Sequence, residues 1–85
     1  VVDVRETNEF AMGHFDGAIN IPLGIIPLRL DEFKAMNGPI VLYCRSGNRS
    51  GQAVKVMHDA GFHNVYNLNG GVIEWANAGL PLVNN

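Results

Sequence analysis

The stretch IVLYCRSGNRSG, residues 40–51, decides the fold class. Its first four residues are apolar without alternation, which is typical of a strand buried on both faces of a parallel sheet. Cys44 follows directly, and a loop with two arginines and two glycines leads into a helical pattern. Because ligand sites of parallel α/β sheets lie at the carboxyl ends of strands, the stretch predicts that Cys44 lies at such a site.

Apolar segments on both sides of this stretch predict alternating strands and helices. Three further strands are predicted, over residues 1–4, 14–22 and 65–68, and Pro22 confines the second to an edge or a strand end. Helices are predicted over residues 7–12, 28–36 and 72–78, and after the loop, where Ala53, Val56, Met57 and Ala60 share one face. Thr7 is the predicted cap of the first helix, with Phe10 and Ala11 facing inward. The pattern predicts an α/β fold with a mostly parallel central sheet and helices on both faces.

Composition limits the classes of function. With 85 residues, 47% of them hydrophobic and 16% charged, the chain is expected to form one globular domain and a monomer. A net charge of −2 gives no basic face for nucleic acid or an anionic membrane. The single cysteine excludes an internal disulfide. Three scattered histidines, His14, His58 and His63, do not predict a metal site, and no cofactor is expected.

The loop after Cys44 has the composition of an anion-binding site. Ser46, Gly47 and Asn48 allow successive backbone N–H groups to point inward, and the start of the next helix adds further donors. Such donors and nearby arginines stabilise a thiolate and attract an anionic substrate. A free cysteine at the end of an apolar strand is alternatively a packed core residue. The arginines and glycines beside it favour the reactive thiol.

Four motifs together resemble the single-domain rhodanese family. They are Asp3-Val4-Arg5-Glu6, Gly17-Ala18-Ile19-Asn20-Ile21-Pro22, Cys44-Arg45-Ser46-Gly47-Asn48-Arg49-Ser50, and Leu68-Asn69-Gly70-Gly71 followed by Trp75 and Ala78-Gly79-Leu80-Pro81. The resemblance implies a thiosulfate sulfurtransferase. In that reaction a cysteine takes the outer sulfur of thiosulfate and expels sulfite, or takes that of a persulfide donor and expels a thiolate. It then passes the sulfur as a persulfide to cyanide or a thiol.

The resemblance also implies a role for each matching residue. Cys44 is the catalytic nucleophile. The substrate-binding residues are Arg45, Ser46, Gly47, Asn48, Arg49 and Ser50, whose backbone amides hold the sulfur or the anion. Arg45 and Arg49 orient thiosulfate, and Arg49 also turns inward to structure the loop. Asp3 and Arg5 form a buried ion pair that supports the site. Leu68 and Trp75 are expected in the core.

The chain departs from the family pattern in two places. The strand and helix that usually precede the Asp-Val-Arg segment are expected to be missing from the single domain over residues 1–85, which leaves a sheet edge uncovered. Phe15 and Asp16 stand where the family often has Ile and Pro. With no second cysteine, the acceptor is expected to be external: a small thiol, thioredoxin or another protein. The cytoplasm is the expected compartment, with the periplasm left open.

Two other functions compete with sulfur transfer. Phosphatases and arsenate reductases of related fold need a loop of Cys, five residues and Arg, whereas four residues separate Cys44 from Arg49 here. The shorter loop fits one sulfur atom better than a phosphoryl group. The second alternative is a non-catalytic rhodanese-like module that binds or regulates a partner, and modules of that kind typically lack the cysteine.

Overall fold

Four parallel strands form one sheet in the computed structural model, which describes residues 1–84. They are β1 (Val2–Asp3), β2 (Ile19–Asn20), β3 (Ile40–Tyr43) and β4 (Val65–Asn67), in the spatial order β2-β1-β3-β4. Val2 pairs with Ile19 on one side and with Leu42 on the other. The predicted α/β class is confirmed, and β2 lies at an edge as Pro22 indicates. The parallel ladder places the carboxyl ends of all four strands on one side of the sheet.

Helical segments connect the strands, and a last helix follows β4. They are α1 (Thr7–Met12), a 3₁₀ helix (Leu23–Leu28), α2 (Leu30–Lys34), α3 (Asn48–Asp59) and α4 (Gly71–Asn77). The helix predicted over residues 28–36 is shorter than expected. Arg29 has φ −123° and ψ 21°, outside the α-helical region, so the backbone bends there between the 3₁₀ helix and α2. None of the helices within residues 1–84 is long and apolar enough to cross a membrane.

The start of α1 differs from the prediction. Thr7 is not the cap; Glu6 is the N-cap, and the Glu9 carboxylate reaches back to accept the Glu6 N–H at 3.1 Å, as in a capping box. Phe10 is half-buried and stacks on the buried His14 with ring centroids 3.6 Å apart. Ala11 is exposed, so its predicted inward orientation is wrong. Phe10 is thus the one apolar side chain of α1 that is not exposed.

The core lies on both faces of the sheet. Leu42 and Cys44 belong to a buried apolar cluster with Ala53 and Met57 of α3. Tyr43 is also fully buried but points to the opposite face, because side chains alternate along a strand. As predicted for α3, Ala53 and Met57 are buried, whereas Val56 is only half-buried. Ala60 is exposed, since it follows the end of the helix.

Aromatic rings cover the face on which Tyr43 lies. Phe15 stacks on Tyr43 with ring centroids 3.9 Å apart and contacts Trp75 of α4 at 4.4 Å. The Trp75 indole N–H donates to the Pro81 carbonyl at 2.8 Å. Leu68 and Trp75 are half-buried rather than core residues, because α4 covers this face only in part. Phe15, which replaces the family's usual Ile, supplies much of the packing between sheet and α4.

Gly71 brings α4 into direct contact with the loop after β3. It is buried, has φ +50°, and its neighbours Val72 and Ile73 donate their N–H groups to the carbonyls of Cys44 and Arg45, both at 3.0 Å. A Cβ at this position would overlap the Cys44 carbonyl oxygen and lie 2.9 Å from the Arg45 carbonyl. A glycine is therefore required where α4 meets the cysteine loop.

We predict that Gly71→Ala lowers the free energy of unfolding by about 2–4 kcal/mol, because strain at positive φ adds to overpacking against backbone. Gly38→Ala is the matched control, since Gly38 has φ +78° but open space around its Cβ position. Its cost should be only about 1 kcal/mol. Urea denaturation of the three proteins measures the difference, and equal losses in both variants would contradict the close approach.

Candidate active site

Cys44 lies at the carboxyl end of β3, at the position expected for a ligand site. Its Sγ accepts the Gly47 N–H at 3.1 Å and lies 3.4 Å from Ser50 Oγ. Gly47 is the N-cap of α3 and has φ +103°, which lets the chain turn tightly from the loop into the helix. Cys44 is only 1% exposed. The loop therefore wraps around a sulfur atom that also packs against the core.

Hydrogen bonds determine the ionisation of this thiol. Burial by itself raises the pKa of Cys44. The Ser50 hydroxyl and the backbone N–H groups of Ser50, Gly47 and Ser46 act in the opposite direction, and the net effect is a pKa below the ordinary value. Cys44 thus packs against the core and also has a lowered pKa, so the two alternatives drawn from the sequence do not exclude each other.

The predicted loop residues divide into two groups. Ser46, Gly47 and Ser50 supply the N–H groups that act on the sulfur, and Ser50 adds its fully buried hydroxyl. Asn48 is exposed and forms the first residue of α3. Arg45 is exposed and lines an open depression of about 430 Å³, whose walls include Met12 of α1 and Ile73 of α4. Arg45 is therefore the more exposed of the two loop arginines, and Glu9 does not pair with it.

Arg49 is held by an acidic partner. Its guanidinium donates to both carboxylate oxygens of Glu9, at 2.6 and 2.9 Å, although 40 residues separate them. The Arg49 hydrogen bond is the main reason that the pKa of Glu9 falls from 4.5 to about 2. This bidentate pair ties the start of α3 to α1. The geometry supports the loop-structuring role of Arg49, because the Glu9 carboxylate already balances the charge of its guanidinium.

Asp3 and Arg5 form the buried ion pair that the family resemblance implies. Arg5 Nη2 donates to Asp3 Oδ2 at 2.7 Å and to the Gly13 carbonyl at 2.6 Å, and Arg5 Nε donates to Asp3 Oδ1 at 3.0 Å. Asn20 Nδ2 donates to the Asp3 and Arg5 carbonyls at 3.0 Å. Each polar group is satisfied, so the pair fixes the ends of β1 and α1 beside the cysteine loop.

Two residues of the site were not predicted. Glu9 pairs with Arg49, and its position three residues after Glu6 is the spacing of a capping box. Asn67 lies at the carboxyl end of β4, where site residues of parallel sheets collect, and it accepts a hydrogen bond from the Ser50 hydroxyl. Among residues 1–84 no group of three or more His, Cys, Asp and Glu side chains is placed to hold a metal ion.

Comparison with known proteins identifies the family of this chain. Residues 1–78 match the Rhodanese-like domain. The chain belongs to the rhodanese-like domain family. A protein of Allochromatium vinosum named sulfurtransferase is 42% identical over 83 residues, which cover 98% of this chain and 77% of that protein. The chain spans only 59% and 46% of two further curated relatives, from Bacillus subtilis and Synechocystis. It spans 26% of an Erwinia tasmaniensis relative named tRNA uridine(34) hydroxylase, at 37% identity over 95% of this chain.

Solved structures show the same rhodanese fold. A rhodanese-related protein from Thermoplasma volcanium superimposes with a TM-score of 0.83 at 31% identity, over all of this chain and 84% of that one. A Rhodopseudomonas palustris protein of unknown function, described as a possible tyrosine phosphatase, gives a TM-score of 0.88 at 28% identity. The comparison covers 96% of this chain and 68% of the second protein.

We predict that Glu9→Gln lowers the free energy of unfolding by about 0.5–1 kcal/mol at pH 7, since glutamine keeps the cap but loses the ion pair. Because the folded pKa of Glu9 lies below 4.5, the loss should be full above that pH and vanish as the pH falls towards 2. Chemical denaturation at several pH values measures this dependence. Asp16→Asn, which removes an exposed carboxylate, is the control. A loss independent of pH would contradict the pairing.

Proposed function

We propose that this chain is a sulfurtransferase that moves sulfane sulfur from thiosulfate or a persulfide donor, through a persulfide on Cys44, to a thiol or cyanide. The observation that carries the proposal is the enclosure of Cys44 Sγ by the Ser50 hydroxyl and the backbone N–H groups of the loop. These donors favour the thiolate, which is the nucleophilic form. The sulfurtransferase name of the Allochromatium relative supports the same reaction class.

The reaction consists of two displacements at sulfur. The Cys44 thiolate attacks the outer sulfur of thiosulfate, the S–S bond breaks, and its electron pair leaves with sulfite. The outer sulfur then carries the negative charge of the persulfide. An acceptor thiolate attacks that sulfur, the electron pair of the second S–S bond returns to Cys44 Sγ, and the acceptor leaves as a persulfide. Electrons balance without an oxidant, and the alternation of the two steps predicts ping-pong kinetics.

Arg45 is the residue proposed to bind the anionic donor. Its charge is exposed, whereas that of Arg49 is balanced by Glu9. The depression that Arg45 lines lies beside the cysteine loop, since its walls also include Val72, whose N–H donates to the Cys44 carbonyl. The depression is therefore the proposed binding place of the anionic donor before its outer sulfur reacts with Cys44.

Phosphatase activity is the second candidate, favoured by the description of the Rhodopseudomonas structure. The loop argues against it. Only four residues separate Cys44 from Arg49, and the Gly47 N–H already contacts the sulfur at 3.1 Å. A phosphoryl group needs donors for three oxygens, all of them beyond the sulfur atom.

The acceptor is proposed to be external because Cys44 is the single cysteine of the chain. A small thiol or a protein of the thioredoxin kind has the required chemistry. The several relatives of which this chain spans half or less indicate that such domains also operate inside larger proteins. A binding module without turnover is the remaining alternative, and the same experiment distinguishes it.

We predict that incubation with thiosulfate adds one sulfur atom to the wild-type protein and none to Cys44→Ser, as measured by intact mass without reductant. Cyanide should remove the added sulfur and release thiocyanate. A Cys44→Ser protein that still gained sulfur would contradict the assignment of the nucleophile. No gain with hydrolysis of an aryl phosphate would indicate the phosphatase, and no reaction in either assay would indicate the binding module.

We predict that Arg45→Ala raises the KM for thiosulfate about fivefold, equivalent to about 1 kcal/mol of lost attraction, with little change in kcat. The wild-type KM should rise with ionic strength, and that of the variant should depend on it less. Lys55→Ala, which removes an exposed charge further along α3, is the control. If both variants change the KM equally, the effect reflects net charge rather than binding by Arg45.

A further inference from the structure

The side chain of Asn67 touches the cysteine loop at two points. Asn67 Oδ1 accepts the Ser50 hydroxyl, and Asn67 Nδ2 donates to the Gly47 carbonyl at 3.1 Å and to Asn69 Oδ1 at 3.2 Å. The two Nδ2 bonds fix the orientation of the amide, so that Oδ1 faces Ser50. Ser50 and Gly47 are also the residues whose side-chain hydroxyl and backbone N–H contact the sulfur.

Ser50 has one hydroxyl proton and two possible acceptors for it. Its Oγ lies 3.4 Å from Cys44 Sγ and is hydrogen-bonded to Asn67 Oδ1, but a hydroxyl donates one proton only. A neutral thiol or disulfide sulfur is a weak acceptor, so the proton then goes to the amide oxygen. A thiolate is a charged and stronger acceptor, so the proton then turns to the sulfur. The position of this proton depends on the charge of Sγ.

The charge of Sγ changes twice in each cycle of sulfur transfer. It is negative in the free enzyme and neutral in the persulfide, where the outer sulfur is charged. When an acceptor attacks the outer sulfur, the electron pair of the S–S bond returns to Sγ. A hydroxyl that turns from Asn67 to Sγ at this moment stabilises the leaving thiolate, without any transfer of the proton between heavy atoms.

We infer that Asn67 is a positioning residue: it holds the Ser50 proton while Cys44 Sγ is neutral and competes with the sulfur for that proton when Sγ becomes charged. This inference rests on the function proposed above for its role in the cycle. Its consequence for the free protein is independent of turnover. The Ser50–Asn67 bond stabilises the neutral thiol, so loss of the Asn67 acceptor should favour the thiolate.

The test is the thiol pKa, read from the pH dependence of alkylation by iodoacetamide. Asn67→Ala should lower the pKa by about half a pH unit, because the Ser50 proton is then free to bind the thiolate. Asn67→Asp, which is isosteric and keeps an acceptor, should raise it. Ser50→Ala should raise it as well. In the Ser50→Ala background, Asn67→Ala should leave the pKa unchanged, since the proton through which Asn67 acts is absent.

A pKa shift by Asn67→Ala that requires the Ser50 hydroxyl separates this role from simple support of the loop, which would act with and without Ser50. The added negative charge of Asn67→Asp raises the pKa in either case. A rise in pKa for Asn67→Ala, or an equal shift with and without Ser50, would overturn the inference. Asn69→Ala, which leaves the Ser50–Asn67 bond in place, is the control and should not change the pKa. Circular dichroism confirms folding, and Asn67→Leu, which is close to isosteric and has no acceptor, replaces the Ala variant in both Ser50 backgrounds if that variant unfolds.

The charged side chains around the sulfur are the same in every variant except Asn67→Asp. They are Asp3 on β1, Arg5 between β1 and α1, Glu9 on α1, Arg45 in the loop, Arg49 on α3 and Glu74 on α4. The difference between the Asn67→Ala shifts with and without Ser50 therefore reports the hydroxyl, since the lost bond to the Gly47 carbonyl is common to both. Because alkylation needs no sulfur donor, it measures the switch even if the protein fails to transfer sulfur. Failure of the inference and failure of the proposed function are thus distinguished.

Discussion

A sulfur atom that is removed from water and yet has to carry a charge must receive hydrogen bonds from the chain itself, and the rest of this structure depends on that requirement. Cys44 is only 1% exposed, so water cannot supply the donors. The loop supplies them by turning at Gly47 and passing into α3 within a few residues. Backbone N–H groups at a helix start have no partners within the helix, so they bind the sulfur without loss of other hydrogen bonds.

Three contacts from distant parts of the chain hold the loop in this geometry. The Glu9 carboxylate pairs with Arg49 from the side of α1. Gly71 allows α4 to approach the backbone of Cys44 and Arg45, whose carbonyls accept the N–H groups of Val72 and Ile73. Asn67 of β4 binds the Gly47 carbonyl and the Ser50 hydroxyl. Each contact joins the loop or the start of α3 to a different element, so the geometry around the sulfur depends on α1, α4 and β4 together.

The parts of the site that depend on nearby residues could be predicted from the sequence. The strand before Cys44 and the turn at Gly47 involve neighbours along the chain, whereas the Asp3–Arg5 pair was expected from the family resemblance. The partner of Arg49 could not be predicted, because Glu9 is 40 residues away and also fits a purely local role in capping α1. The short last helix explains the error at Trp75, since composition indicates a core residue but not how much of the sheet α4 covers. The cap was predicted one residue too late, at Thr7 instead of Glu6, because both residue types are compatible with a helix start.

In the proposed function, Arg45 attracts the anion and Cys44 carries out the covalent chemistry. Within residues 1–84, Arg49 forms a bidentate pair with Glu9, whereas Arg45 is exposed at the rim of the depression. The hydrogen bonds that lower the pKa of Cys44 come from neutral donors, which act over short distances, and the charge of Arg49 also interacts with that of the thiolate. A cation beside the sulfur would stabilise the thiolate further but would also weaken it as a nucleophile, since nucleophilicity falls with the pKa of the thiol. Neutral donors, one of them a hydroxyl that can turn away, stabilise the charged sulfur without holding it permanently in that state.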